Sequence, residues 1–429
     1  MISSHFSFLI PGCSRHGGNN DMRESLPRAV AGPRIPLRAE VVVVGGGCMG
    51  ASTAFHLARR GVDVVLVERG HIGSGATGHS GAIIRQHYET RLGIGLARRS
   101  LLFFQRFKEE TGHSCDFRET GFLSGARVLD VPAFDALLRL LTAEGVRAER
   151  LSPEEAQQLE PQLDVSDYVA LVHDPEAGYA DPAATAVGFA KAAEGFGGTI
   201  RQDASVRGLV VRRGQIAGVR LSGAGQIDTA NVVFAAGTWT RALARAVGVR
   251  LPIHFVRGEV AILRRPVGFG RPPRIHFDFY GNTYSRPEGE KDVLVGYMDA
   301  RPHRIVQQPV LREQSVSTST IRDLTRRLAR RFPSMTRAQP RGGWAGLYDV
   351  SPDSYPILDA VGPRGLFVEV GFSGHGFKLS PEVGRLMAEF VASGRRPEGL
   401  SELGAGRFRE GREIKPAAPF PPRRGSRLP

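Results

Sequence analysis

Short, wholly apolar runs alternate with helix-spaced stretches through most of the chain. Glu40-Val41-Val42-Val43-Val44 is a β-branched run that ends in glycines, the pattern of a strand buried on both faces. From Ala51 to Arg60, Ala54, Leu57 and Ala58 fall on one side of a helix, and Val62 to Val67 repeats the buried-strand pattern. Strand, helix, strand in that order predicts a parallel pair joined by a right-handed crossover. Pro182 to Glu194 has helical spacing, and short strands are predicted around Thr199, Gly208–Val211 and Gly218–Leu221. Asn231 to Ala235 is another buried strand. From Pro252 to Met298 the texture becomes alternating, in Glu259–Leu263 and Val293–Tyr297, which predicts antiparallel strands. Ile321, Leu324, Leu328 and Phe332 share one helical face, Leu366 to Val370 is a late strand, and Ser380-Pro381 predicts the start of a helix running to about Gly394.

The ends of the chain lack this order. Residues 1–37 are broken by Gly, Pro, Asn and Ser and are expected to be a disordered leader, or an over-long gene start with Met22 as the true first residue. Residues 404–429, rich in Pro, Arg and Gly, are expected to be a disordered basic tail. The chain has 429 residues, enough for two to three domains, and 41% of them are hydrophobic, enough for a large core. No run of eighteen apolar residues exists, so no transmembrane helix is expected. Cys13, Cys48 and Cys115 are too few for a disulfide framework or a zinc site, so no metal is expected and a reducing, cytoplasmic setting fits. The net charge of +14 invites a nucleic-acid reading. Against it, only five of the 57 basic residues are lysine, and the arginines are spread along the chain without interleaved aromatics. A nucleic-acid-binding protein that borrows a nucleotide fold stays the remote alternative; no nucleic-acid partner is expected.

Candidate chemistry begins at Gly45-Gly46-Gly47-Cys48-Met49-Gly50, a G-x-G-x-x-G that follows a predicted strand and opens a predicted helix. Gly45 permits the tight turn, Gly47 leaves a pyrophosphate room to reach the helix N-terminus, and Gly50 allows close packing of helix on strand. Glu68 ends the second strand, where a carboxylate accepts hydrogen bonds from an adenosine ribose and disfavours a 2′-phosphate. Gly73-Ser74-Gly75-Ala76-Thr77-Gly78 is small and hydroxyl-rich, with Ser74 and Thr77 able to wrap a second stretch of diphosphate. That favours FAD over a nicotinamide cofactor. Late in the chain, Gly371-Phe372-Ser373-Gly374-His375-Gly376-Phe377-Lys378 links a strand to a helix, and its glycines leave backbone N–H groups bare for a flat ligand.

These motifs resemble the FAD-dependent oxidoreductases of the D-amino-acid oxidase, glycine oxidase and sarcosine oxidase superfamily, closest to the sarcosine oxidase and dimethylglycine dehydrogenase branch. The resemblance covers about residues 38 to 396. It includes Gly178-Tyr179-Ala180-Asp181-Pro182, Val206 in the strand that meets the adenine, and Val232 to Trp239, the strand that returns to the nucleotide with Gly237 and Trp239. It includes Gly342 to Tyr348 with Ser351-Pro352-Asp353, and is most specific in the segment ending at Phe377-Lys378. It implies an α/β fold: a Rossmann-type FAD-binding domain from 38–94, 182–250 and 342–400, interleaved with a mixed-sheet substrate domain from 95–181 and 251–341.

The resemblance places Arg85 and Lys378 on the substrate carboxylate, and His375 near the flavin ring. Read without it, Arg85 is one arginine among many, and Tyr280 or Tyr284 serves equally as pocket wall or sheet packing. The implied reaction is oxidation of a carbon–nitrogen bond in a small, N-alkylated amino acid, by hydride transfer to flavin N5 and hydrolysis of the imine. Three departures matter. Gly346 stands where covalently flavinylated sarcosine oxidases carry cysteine, so non-covalent FAD is expected. Leu294 stands where the oxygen-activating lysine would fall, so the acceptor is dioxygen or another electron acceptor, and the chain could be the flavin-bearing subunit of a heteromeric dehydrogenase. His79 lies where dimethylglycine dehydrogenases attach flavin, and is expected to sit beside it unlinked.

Overall fold

The computed structural model describes residues 37–223, 225–298, 305–307 and 315–417. Of the leader expected over 1–37, residues 1–36 lie outside the described residues, as do residues 418–429 of the expected tail. The architecture is mixed α/β, built on two large sheets.

The first sheet has the strand order Ile357–Ala360, Leu366–Val370, Asn231–Phe234, Val41–Val44, Val64–Val67, Thr199–Arg201. All neighbours are parallel except the first pair, which is antiparallel. Helix Cys48–Ala58 packs between helices Pro182–Gly195 and Gly376–Ser393, and Phe55, Phe103, Phe107 and Phe189 form an aromatic cluster beneath it. The valine run at 41–44 is buried on both faces because helices cover the sheet and parallel strands need such cover.

The second sheet is mixed. Its long strand His254–Arg264 pairs antiparallel with Gln339–Val350 on one side and Asp292–Tyr297 on the other. Thr283–Glu288 and Ile275–Asp278 continue it, and Ile275–Asp278 then runs parallel to Phe122–Ala126. Helix Thr318–Arg331 closes one face through Leu324 and Leu328. A small third sheet, in which Gly178–Tyr179 pairs with both Ile83–Ile84 and Arg118–Glu119, fixes the chain just ahead of Arg85. Gly178 is required there: a Cβ would stand 2.2 Å from the Arg118 carbonyl oxygen.

Three local expectations are corrected. The strand Gln339–Val350 runs through residue 342, the expected start of the third FAD-domain segment, and pairs in the second sheet. The last long helix starts at Gly376 rather than Ser380, with Pro381 inside it. Proline has no N–H for the carbonyl four residues back, and here the Ser380 hydroxyl donates to that Phe377 carbonyl at 2.8 Å. The tail expected from 404 is fixed as far as 417. Ala405–Phe408 forms a short 3₁₀ turn, and Arg407 is held by Asp353 in a buried ion pair, which outweighs the weak local propensity. No helix among the described residues is long and apolar enough to cross a membrane. No cluster of metal-ligating side chains occurs among them either.

Candidate functional site

One cavity of about 1120 Å³ runs from the glycine turn after Val44 to the loop at 371–378. Its near end is built by backbone. Gly45 has φ of +116°, and a Cβ there would meet the Ala235 carbonyl oxygen at 2.4 Å. Gly50 does not line the cavity; a Cβ on it would stand 2.0 Å from the Gly45 carbonyl oxygen, so its role is to let the helix sit on the turn. Gly47 is the N-cap of helix Cys48–Ala58, with no side chain capping it and no acid in the first turn. No acidic side chain of the helix therefore offsets its positive end, which faces the cavity.

Glu68 holds this turn. Its two carboxylate oxygens accept from the Gly46 N–H at 2.7 Å and the Gly70 N–H at 2.8 Å. Each oxygen keeps a second lone pair, so Glu68 can still accept from a ligand hydroxyl. Thr77 supports the helix start, its hydroxyl accepting from the Cys48 N–H at 3.0 Å. Ser74 and His79 line the same wall. The His79 Nδ1 pairs with the Gly75 carbonyl at 2.9 Å, and Trp344 Nε1 donates to the His79 carbonyl at 3.0 Å. Gly346 faces this histidine, and a Cβ there would come within 2.6 Å of the His79 Cβ. Val206, Gly237 and Trp239 also line the cavity, with the Arg69 guanidinium 3.6 Å from the centre of the Trp239 ring.

At the far end, Gly371, Ser373 and Gly374 all have positive φ, which bends the backbone round the cavity. Asp349 fixes this bend, accepting from the Gly371 and Phe372 N–H groups while its own carbonyl accepts from the Ser373 N–H at 2.8 Å. Burial pushes the Asp349 carboxyl up, and the backbone donors oppose that. Gly374, His375, Gly376, Phe377 and Lys378 all line the cavity. A Cβ on Gly374 would approach Tyr348, so its wall is an aromatic face.

Arg85 and Lys378 converge here around Tyr88. The Arg85 guanidinium lies 5.4 Å from the Tyr88 ring centre and 4.8 Å from that of Phe277, and Lys378 Nζ lies 5.9 Å from Tyr88. Arg85 spends one nitrogen on the His87 carbonyl, while its buried Nε has no hydrogen-bond partner. Burial lowers its pKa, and it lowers that of Lys378 well below the ordinary lysine value, with the Arg85 charge adding to the effect. His375 Nδ1 pairs with the Tyr88 hydroxyl at 3.1 Å. Burial, then Lys378 and Arg85, hold its imidazole neutral. Two desolvated basic groups lining one cavity can pair with an anion there.

Several cavity residues carried no recognisable sequence signal. Asp349 is one acid in a strand, and Tyr88 and Tyr355 are single tyrosines. Glu369 lines the cavity from within the strand Leu366–Val370, 1% exposed, its Oε1 accepting from the Thr53 hydroxyl at 2.7 Å. Burial pushes its pKa to about 8. A glutamate inside a buried-strand pattern was the one visible clue.

A family model described as FAD dependent oxidoreductase matches residues 40–390. The chain is 28% identical over 375 residues to mitochondrial sarcosine dehydrogenase of Homo sapiens, covering 85% of this chain and 40% of that protein. It is 27% identical over 398 residues to sarcosine oxidase subunit beta of Rhodobacter capsulatus, covering 90% of this chain and 92% of that one. Among solved structures, L-proline dehydrogenase from P. horikoshii superposes with a TM-score of 0.82 at 26% identity, covering 89% of this chain and 100% of that chain. The chain thus spans less than half the length of the human relative.

Proposed function

The chain belongs to the family of FAD-dependent oxidoreductases, and from that premise we propose that it oxidises a carbon–nitrogen bond of a small N-alkylated amino acid, such as an N-methylated glycine. The observation that carries this reading is the convergence of half-buried Arg85 and buried Lys378 on the same cavity as the glycine turn. The cavity fits a dinucleotide. Its volume of about 1120 Å³ exceeds the roughly 300–1,000 Å³ of ordinary small-molecule sites, leaving room for a substrate beside the cofactor. Gly45 and Gly50 have no space for a Cβ, so the turn keeps its backbone form, and the uncapped helix at Gly47 favours a diphosphate. The Gly346–His79 contact supports non-covalent binding at that strand, since any side chain at 346 would displace His79.

Bound FAD supplies the hydride acceptor. The protein's part is orientation and charge. Arg85 and Lys378 would pair with the substrate carboxylate, the guanidinium bidentately, and so fix the carbon–nitrogen bond against the bend at 371–376. The same two cations disfavour an ammonium nearby and keep the substrate amine unprotonated. His375 is neutral and bonded to Tyr88, which suits positioning of that ring rather than proton transfer. The positive end of helix Gly376–Ser393 faces the cavity and would steady negative charge developing there.

Changing Arg85 or Lys378 to Met should raise KM for sarcosine about tenfold or more while leaving KM for dimethylamine, which has no carboxylate, nearly unchanged. Equal changes for both amines would remove the pair from the carboxylate. A second reading concerns the acceptor. Leu294, where the resemblance implies a lysine, is 0% exposed between the strands of the second sheet, so no cation stands at that position. This favours an acceptor other than dioxygen, and with it a partner subunit or carrier that takes the electrons.

A further inference from the structure

The segment after Leu403 reads as unstructured, yet it lies across the substrate end of the cavity. Its anchor is Asp353, whose carboxylate receives Arg407 Nε at 2.7 Å, Arg407 Nη2 at 2.9 Å and the Ile414 N–H at 3.1 Å. Both ion-pair side chains are 2% exposed. Arg407 also donates to the Tyr355 carbonyl at 2.8 Å. Burial raises the Asp353 pKa, and Arg407 with the backbone donors more than reverses this, holding it below the usual carboxylate range. A second tie is the Ala417 N–H on the Glu89 carbonyl at 2.8 Å. Between the two ties, Ile414 and Pro416 line the cavity, beside Tyr355, whose hydroxyl meets Thr90 Oγ1 at 2.7 Å.

This is the Arg85 end. Glu89 and Tyr355, which the segment touches, line the cavity together with Arg85 and Tyr88. We propose that residues 404–417 form the outer wall of the substrate pocket, and that Ile414 and Pro416 set the size of amino acid it accepts. The proposal rests on the reading of Arg85 and Lys378 as the carboxylate site. With the carboxylate held by those cations, the aliphatic part of the ligand meets the apolar wall of Ile414 and Pro416. Arg407 is a positioning residue, acting through Asp353.

The test uses the full chain loaded with FAD and reads perturbation of the visible flavin spectrum by acetate, butyrate and hexanoate. For Ile414→Ala, the affinity ratio of hexanoate to acetate should rise about tenfold over the unaltered protein; for Ile414→Trp, the ratio of butyrate to acetate should fall by a similar factor. Arg407→Met should shift the ratios in the direction of Ile414→Ala, and Arg407→Lys should restore part of the difference. If Ile414→Trp fails to fold, Ile414→Ala and Arg407→Met still decide. Ratios unchanged in Ile414→Ala and Arg407→Met would overturn the wall, even if melting temperature drops. Failure of all three carboxylates to perturb the flavin of the unaltered protein is a different result, and would overturn the carboxylate site on which the wall depends.

Discussion

Of the two basic groups that line the cavity, Lys378 is the one that holds its proton weakly. Its pKa is lowered well below the lysine range by burial and by Arg85, so it gives up its proton at a pH where a surface lysine would not. A carboxylate draws that proton back. Its affinity should therefore fall as pH rises through the depressed pKa, by up to about tenfold per pH unit. Lys378→Met should bind acetate more weakly at low pH and lose the slope; flavin difference spectra across a pH series measure both. At the other end, Glu68→Ala leaves the Gly46 and Gly70 N–H groups without their acceptor, and FAD affinity measured by fluorescence should drop about tenfold or more. These two ends were unequally legible. Glu68 is marked by its place after a strand and a fixed distance from a glycine turn. Arg85 and Lys378 were visible only through resemblance, because nothing local separates a desolvated cation from a solvated one. Asp349 carries no such mark, since it acts on the backbone groups of Gly371, Phe372 and Ser373, far from it along the chain.

Strands buried on both faces were the easiest elements to read, as at Val41–Val44, Val64–Val67 and Asn231–Phe234, because a run of branched apolar residues has few other uses. Phe122–Ala126 and Ala170–Asp174 were not foreseen; their partners lie far along the chain and their own patterns are short. The last helix began earlier than proline suggests, because Ser380 occupies the carbonyl that proline leaves. The strand Leu366–Val370 carries its own pH signature. Glu369 has a folded pKa of about 8, above the unfolded value, so the native state keeps it neutral while the unfolded chain ionises. Its burden on stability is absent below the unfolded pKa, grows as pH rises and levels off above about 8. Glu369→Gln should therefore raise the melting temperature by at least about 2 °C at pH 8 and change it little at pH 4; equal gains at both pH values would contradict the assignment. In the strand Gln339–Val350, Gly346→Cys should displace His79, lower the melting temperature and weaken FAD binding, without creating a covalent link detectable after acid precipitation.

At the scale of the molecule, the glycine turn and the bend at 371–376 come from segments more than three hundred residues apart, drawn together because strand Leu366–Val370 lies beside Asn231–Phe234, next to Val41–Val44. Composition hides the other whole-molecule feature, the fixed segment 404–417, because its order comes from the buried Arg407–Asp353 ion pair and from hydrogen bonds to distant residues rather than from its own sequence. With Leu294 at the position considered above, FAD-loaded protein reduced by substrate should consume oxygen slowly and pass electrons quickly to an artificial dye; rapid oxygen uptake would remove the argument for another acceptor. The most direct measurement is anaerobic titration of the FAD-loaded protein with sarcosine and its N-alkyl analogues, followed by visible absorbance. The account predicts bleaching of the bound flavin by at least one of them, lost or shifted to much higher concentration in Arg85→Met. A protein that binds no FAD, or whose bound flavin bleaches as readily in Arg85→Met, would contradict it.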